Sequence, residues 1–279
     1  MKHQFKIYLL PFIFLFLSLS SCSIVDTVCK DGTGQVISEQ RNITGFSAIE
    51  SKGSFTVHLF QDASITTQEV TVSAQESIIN LIQTNLVGQS LIIDTDECYN
   101  TNEEVVITVR TPALSQIVLT GSGDIVLQDT VRKSEIEIVL EGSGNISTTP
   151  NFPIIASTRC LVTLKGSGNI ELEFDNSTII NTALDGSGNI TLRGEATENT
   201  LNVSGSGNIK AFDLPVLIST AELIGSGNIE LTANDPNATS TNSDAEINAQ
   251  LSGSGTIYVK GNGNMTSNVS GSGKIERVE

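Results

Sequence analysis

Gly186-Ser187-Gly188-Asn189-Ile190 is the stretch on which the reading of this chain turns, because the sequence repeats it. Gly-Ser-Gly begins at Gly121, Gly142, Gly166, Gly186, Gly205, Gly225, Gly253 and Gly271, at successive spacings of 21, 24, 20, 19, 20, 28 and 18 residues. These eight copies hold 16 of the 24 glycines, so glycine is positional here and does not mark a flexible linker. Two residues past the second glycine stands Ile in every copy: Ile125, Ile146, Ile170, Ile190, Ile209, Ile229, Ile257 and Ile275. Two residues before the first glycine stand Leu119, Leu140, Leu164, Leu184, Val203, Leu223, Leu251 and Val269. Polar residues fall between, so the period is two, the mark of a strand with one buried face. A helix is excluded, because 3.6-residue periodicity is missing and each interior glycine would cost it about 1 kcal/mol.

Both glycines of a copy share parity with the apolar residues. Either the inward positions must be bare because strands of adjacent repeats meet closely, or a turn needs glycine at positive φ. Repeats of about 20 residues cannot bury their faces alone but can do so by stacking. The expected fold is therefore all-β, a parallel β-helix or β-solenoid of Gly-Ser-Gly-Asn-Ile repeats with an N-terminal β-rich cap. The two long steps hold Thr148 to Pro153 and Thr232 to Asp244, which read as surface excursions.

The residue after each triplet runs Asp124, Asn145, Asn169, Asn189, Asn208, Asn228, Thr256 and Lys274, asparagine in the middle and other residues at the ends. In register, Asn145, Asn169, Asn189, Asn208 and Asn228 form a structural ladder, and Ser143, Ser167, Ser187, Ser206 and Ser226 can add hydroxyl bonds along it. A flat recognition surface is the competing reading. Calcium is not expected, since the calcium-binding nonapeptide needs a carboxylate in each copy and only Asp124 supplies one.

The chain begins with an address. Lys2 and Lys6 precede an apolar run from Ile7 to Leu19, too short to span a bilayer comfortably, and Leu19-Ser20-Ser21-Cys22 resembles a bacterial lipobox. That resemblance implies a signal peptide over residues 1–21 and acylation of Cys22, whose several chains would hold the protein on a membrane. Residues 22–44 read as a tether, 45–118 as an N-terminal β-rich segment, and 119–279 as the repeats. Within the β-rich segment Phe46 to Gln61, Glu69 to Ala74, Leu91 to Thr95 and Val105 to Thr111 alternate as strands, while Gln75 to Val87 is ambiguous between a short helix and a strand.

The Gly-Ser-Gly-Asn-Ile copies, with Cys29, the Phe46 to Leu59 region and Cys98, resemble the family described as putative auto-transporter adhesin, head GIN domain, envelope proteins frequent in Bacteroidetes. The resemblance covers about residues 45 to 260. It implies an all-β, solenoid-like fold and an adhesin-like role, and transfers no catalytic residue. In an oxidising envelope Cys29 and Cys98 are expected to pair, while Cys160, in phase with Val162 and Leu164, reads as a buried free thiol.

Charge and composition bound the function. With 31 acidic against 15 basic residues, a net charge of -16 and no basic run, nucleic acid is not an expected partner. Aromatic residues make up only 5%, so stacking platforms are scarce. Beyond the signal peptide the one histidine is His58, out of phase with its apolar neighbours, and the nearest carboxylate pairs are Glu103 with Glu104 and Glu171 with Glu173. No nucleophile, base and orienting group assemble around them, and no two cysteines or histidines stand at chelate spacing, so no catalytic residue, metal or cofactor is expected. The expectation is a non-enzymatic lipoprotein of the cell envelope, in the outer membrane on the strength of Ser23, contacting an unknown protein or glycan. A carbohydrate-binding or carbohydrate-processing surface protein is the alternative.

Overall fold

A strand with aliphatic residues at alternate positions can bury them only against another such row, and every repeat supplies two rows, one on each side of its Gly-Ser-Gly corner. The structure, a computed structural model, describes residues 29–234 and 244–279. Among these it is all-β, with 23 strands and one three-residue 3-10 turn, Ile79–Leu81. Twenty-one strands make one sheet; Lys30–Asp31 and Tyr99–Asn100 make a second, parallel pair.

Pairing among the repeats is parallel and in register. Before the corner, Gly121 stands opposite Gly142, and so on through Gly166, Gly186, Gly205, Gly225, Gly253 and Gly271. After the corner, the isoleucines align one on the next from Ile125 to Ile275. Repeat length does not disturb this. The 24-residue step from Gly142 to Gly166 keeps its partners because the surplus leaves the stack near Thr149, where the Phe152 N–H donates to the Thr149 carbonyl (3.0 Å) and Asn151 takes a φ of 70°. Most of the other excursion, residues 235–243, lies outside the described residues.

The aligned rows form one core. Ile125, Ile146, Ile170, Ile190, Ile209, Ile229 and Ile257 are fully buried, each worth about 1.5–3 kcal/mol of apolar transfer. The last repeat departs from the expected pattern: Ile275 is only half-buried and Val269 is 43% exposed. Asn264–Gly271 and Lys274–Arg277 are paired on one side only, so their inward residues lack a covering neighbour. Arg277 stands opposite Val259, and its guanidinium donates to the carbonyls of Gly261 (2.6 Å) and Gly263, laying a polar side chain over the end of the core.

At the other end, order along the stack is not order along the chain. Ala48–Ser51 lies between Ser90–Thr95 and Gln116–Gly121, and Thr56–Gln61 lies between Val106–Thr111 and Asp124–Leu127, all parallel. This places Gly53-Ser54-Phe55-Thr56-Val57 beside Gly121-Ser122-Gly123-Asp124-Ile125, a degenerate copy of the repeat that the sequence reading passed over. Beyond it the stack ends in antiparallel strands. Glu69–Gln75 pairs with Val106–Thr111, Val36–Arg41 with Glu69–Gln75, and Ile82–Val87 with Ser90–Thr95. The ambiguous stretch Gln75 to Val87 is thus a 3-10 turn followed by a strand.

The tether expected over 22–44 is corrected by the same pairings. From Cys29 onward this segment is part of the body: Lys30–Asp31 and Val36–Arg41 are strands, the second matching Val70 to Gln75 residue for residue. Its alternation of half-buried and exposed residues is that of an edge strand, which a reading tuned to fully buried faces misses.

Candidate functional site

The corner is built from two glycines with different reasons. Gly186 has a φ of 135°, a conformation L side chains avoid, and a Cβ there would also overlap the Gly166 carbonyl oxygen. Gly188 shows no such φ, yet its Cβ would strike the Gly168 carbonyl oxygen and stand 2.9 Å from Leu164 Cδ2. Both alternatives left open by the sequence therefore hold, one for each glycine. Backbone bonds tie each corner to the previous one: the Ser187 and Gly188 N–H groups donate to the Gly166 carbonyl at 2.9 and 3.1 Å, and the Asn189 N–H donates to that of Gly168 at 3.2 Å.

Beside the corner runs the asparagine row. Each Nδ2 donates to the Oδ1 of the preceding repeat: Asn169 to Asn145 at 3.0 Å, Asn189 to Asn169 at 3.1 Å, Asn208 to Asn189 at 3.0 Å and Asn228 to Asn208 at 2.9 Å. Asn145 donates to Asp124 Oδ1 at 2.7 Å, the shortest of the set, as a bond to a carboxylate should be. Asp124 suits the head of the row because that position needs only to accept. Each bond contributes about 0.5–1 kcal/mol at such a partly exposed place. The serine row behaves differently. Its side chains face solvent, and among the described residues only Ser226 and Ser254 bring their hydroxyls within bonding distance, 3.1 Å.

The cysteines are found as follows. Cys29 and Cys98 form a disulfide, and the neighbouring Lys30 N–H donates to the Cys98 carbonyl at 3.0 Å. Cys160 is a buried thiol between Ile136 and Ile180, and burial pushes its pKa up to about 12. Cys22 and the signal peptide over residues 1–21 lie outside the described residues.

Groups that chemistry would need are spread over the molecule. Glu171 is bound to Arg193. Glu103 and Glu104 line a shallow cleft with Ser54, Thr56 and Tyr99, where burial raises the Tyr99 pKa against a hydrogen bond with Ser54 that lowers it. His58 is half-buried on the outer side of its strand, between Thr108 and Val126 in register. No group of three or more His, Cys, Asp or Glu side chains suited to a metal ion is gathered among the described residues. No described helix is long and apolar enough to cross a membrane.

Sequence reasoning missed a polar pair inside the core. Asn199 and Ser219 are fully buried in the column that runs from Ile180 to Ile247, with Ser219 Oγ donating to Asn199 Oδ1 at 2.6 Å. Asn199 Nδ2 and the nearby register's Thr182 Oγ1 are buried without a partner. The signal was available: both residues sit at inward parity, where every neighbouring repeat has an apolar residue or cysteine.

Comparison with known proteins adds the following. The family model for putative auto-transporter adhesin, head GIN domain, matches residues 45–263. A crystal structure described as a putative lipid binding protein from Parabacteroides distasonis superposes with a TM-score of 0.78 at 25% identity, covering 89% of this chain and 99% of that one. A putative adhesin from Parabacteroides merdae gives 0.79 at 19% identity over 89% and 98% of the two chains. A putative adhesin from Parabacteroides distasonis gives 0.76 at 20% identity over 90% and 100%. At such identities the last two speak for the fold alone. No curated protein matches the sequence.

Proposed function

The chain belongs to the putative auto-transporter adhesin, head GIN domain family, and on that premise we propose that it is a lipid-anchored, non-enzymatic protein of the cell envelope whose repeats form a β-solenoid for contact with another macromolecule. The observation that carries this reading is the register: glycine over glycine and isoleucine over isoleucine through eight repeats, which spends the sequence on a rigid rod with long outer faces. A scaffold of this kind offers many equivalent weak contacts along a line, the geometry suited to adhesion.

The non-enzymatic part is supported by how the reactive side chains are used. Glu171 is neutralised by Arg193, and Cys160 is a protonated thiol buried in the core. Lipidation of Cys22 would place six residues between the anchor and Cys29, and at about 3.5 Å per residue the disulfide-bound end of the rod would stand within about 25 Å of the membrane. The solenoid would then project its C-terminal repeats away from the bilayer.

Binding and turnover measured together test this reading. The purified protein is applied to glycan and protein arrays, and bound ligands are then analysed for products. Specific binding without product is expected; product formation contradicts the non-enzymatic reading. Membrane fractionation of cells carrying Cys22→Ser checks the anchor, with release of the protein from the membrane as the expected result and unchanged membrane retention as the contrary one.

A further inference from the structure

The end of the rod nearest Cys29 has two free edges. Among the described strands, Val36–Arg41 pairs only with Glu69–Gln75, and Ile82–Val87 only with Ser90–Thr95. Followed inward, the first series passes through Val106–Thr111 to Thr56–Gln61 and the second to Ala48–Ser51, the two arms of one corner, so both edges close the same end. The Arg41 guanidinium joins them by donating to the Ile79 carbonyl at 3.2 Å. A shallow cleft between them is lined by Gln40, Arg41, Asn42, Asn80, Gln83 and Thr84.

In a chain of net charge -16 these two edge strands carry no net charge. Residues 77–93, which supply the turn, Ile82–Val87 and most of its partner strand, contain no Asp, Glu, Lys or Arg, and Glu76 and Asp94 bound the stretch. On the other edge Glu39 is paired with Arg41 at 3.0 Å. The end is also apolar where it is open: Val36 is 47% exposed, Leu86 44% and Val87 64%, the last being the most exposed large hydrophobic side chain among the described residues. The opposite end differs, since Lys274, Glu276 and Arg277 all lie on its last strand.

Resting on the lipidation of Cys22 read above, we propose that this end face is a membrane-contact surface: the rod stands on it, with Val36, Leu86 and Val87 set into the interface of the bilayer that holds the anchor. Reach argues for this occupant. Ser90–Thr95 runs into the segment that carries Cys98, so the face lies one or two strands, about 5–10 Å, beyond the disulfide, inside the roughly 25 Å that the six linking residues can span. Charge argues the same way. Carboxylates elsewhere on the body are repelled by anionic headgroups, and the uncharged edges are where that repulsion is smallest. The backbone limits the depth: unpaired N–H and C=O groups along both edges must stay hydrated, so side chains reach the acyl boundary while the strands remain among the headgroups. A second copy fits the face less well, because two rods joined end to end here would point in opposite directions while their anchors enter one bilayer.

Site-directed quenching tests the proposal on the full-length lipoprotein, purified from membranes and reconstituted in phosphatidylcholine vesicles that contain a nitroxide-headgroup lipid. A bimane is placed on Val36→Cys or Val87→Cys and, farther up the rod, on Lys210→Cys or Ser267→Cys. Cys160 is buried and Cys29 is bonded to Cys98, so the label goes to the new thiol. Quenching at positions 36 and 87 is expected to exceed that at 210 and 267 by about threefold or more and to survive molar sodium chloride. Leu86→Glu with Val87→Glu separates contact from mere tethering: it should bring quenching at position 36 down to the level at 210, because the interface refuses two carboxylates. Ser267→Glu should leave it unchanged, and melting curves establish that each variant is folded. Quenching at 36 and 87 no greater than at 210, or unaltered by the two glutamates, overturns the proposal and leaves the anchor intact. A dimer in sedimentation that Leu86→Glu dissociates overturns it in favour of a second copy. Mass spectrometry tells premise from conclusion: a Cys22 without acyl chains, in protein that does not float with the vesicles, would remove the anchor and the role of this face together.

Discussion

The repeats and the segment before them solve the same corner in opposite ways. Within the repeats Gly188 is bare because the Gly168 carbonyl and Leu164 occupy the place a side chain would take. In the corresponding place of the earlier layer stands Phe55, a full aromatic ring, and it is buried. The difference lies in the neighbour. Opposite Ser51 and Thr56 the adjoining layer has Ile93 and Val106, so twelve residues there span what four span beside them. That detour holds Cys98 and its disulfide, and the four-residue corner beside it holds Phe55. The second glycine of a corner is thus imposed by the repeat lying alongside, whereas the first, as at Gly186, is required by its own φ as well.

This contrast can be pressed with substitutions. The largest effect is expected at Ile190, buried between like neighbours: Ile190→Asn should lower stability by about 3–5 kcal/mol by leaving an unpaired amide in the core, read as a fall in Tm. Ile275→Asn, in the half-covered last repeat, should cost about 1 kcal/mol or less. Equal losses at the two positions would erase the distinction between interior and terminal repeats.

Next comes the clamp on the detour. Cys29→Ser with Cys98→Ser opens a loop of 69-residue separation and should cost about 2–4 kcal/mol, with hydrogen exchange rising first in residues 29–41 and 94–105 while residues 186–230 keep their protection. Gly188→Ala should follow at about 2 kcal/mol, since both atoms it meets belong to a tightly packed repeat. The smallest change belongs to the ladder. Asn189→Ala removes the bond it donates to Asn169 and the one it accepts from Asn208, and should cost about 1 kcal/mol with the circular dichroism spectrum unchanged.

How far the sequence could be read follows the same line. The isoleucine column, the asparagine row and the corner glycines were legible because stacking imposes one requirement many times, and eight repetitions make the requirement visible. Gly53-Ser54-Phe55-Thr56-Val57 was not recognised, because its neighbour relaxes the rule at Phe55 and Thr56. The insertion of 48–61 between 90–111 and 116–127 was hidden as well. It rests on pairings that occur once, and no local pattern encodes which layer comes next. Val36 to Arg41 lost its strand for a similar reason, being an edge partner whose polar alternation resembles that of a linker.

Double electron–electron resonance between spin labels on the outer row tests the stacking most directly. With one label at position 145 and the second at 228, 256 or 274, the mean separation should grow by about 4.8 Å per repeat, although the two added steps span 28 and 18 residues. Equal increments are the predicted result. Increments that follow the residue count, or distances that scatter without order, would contradict the account.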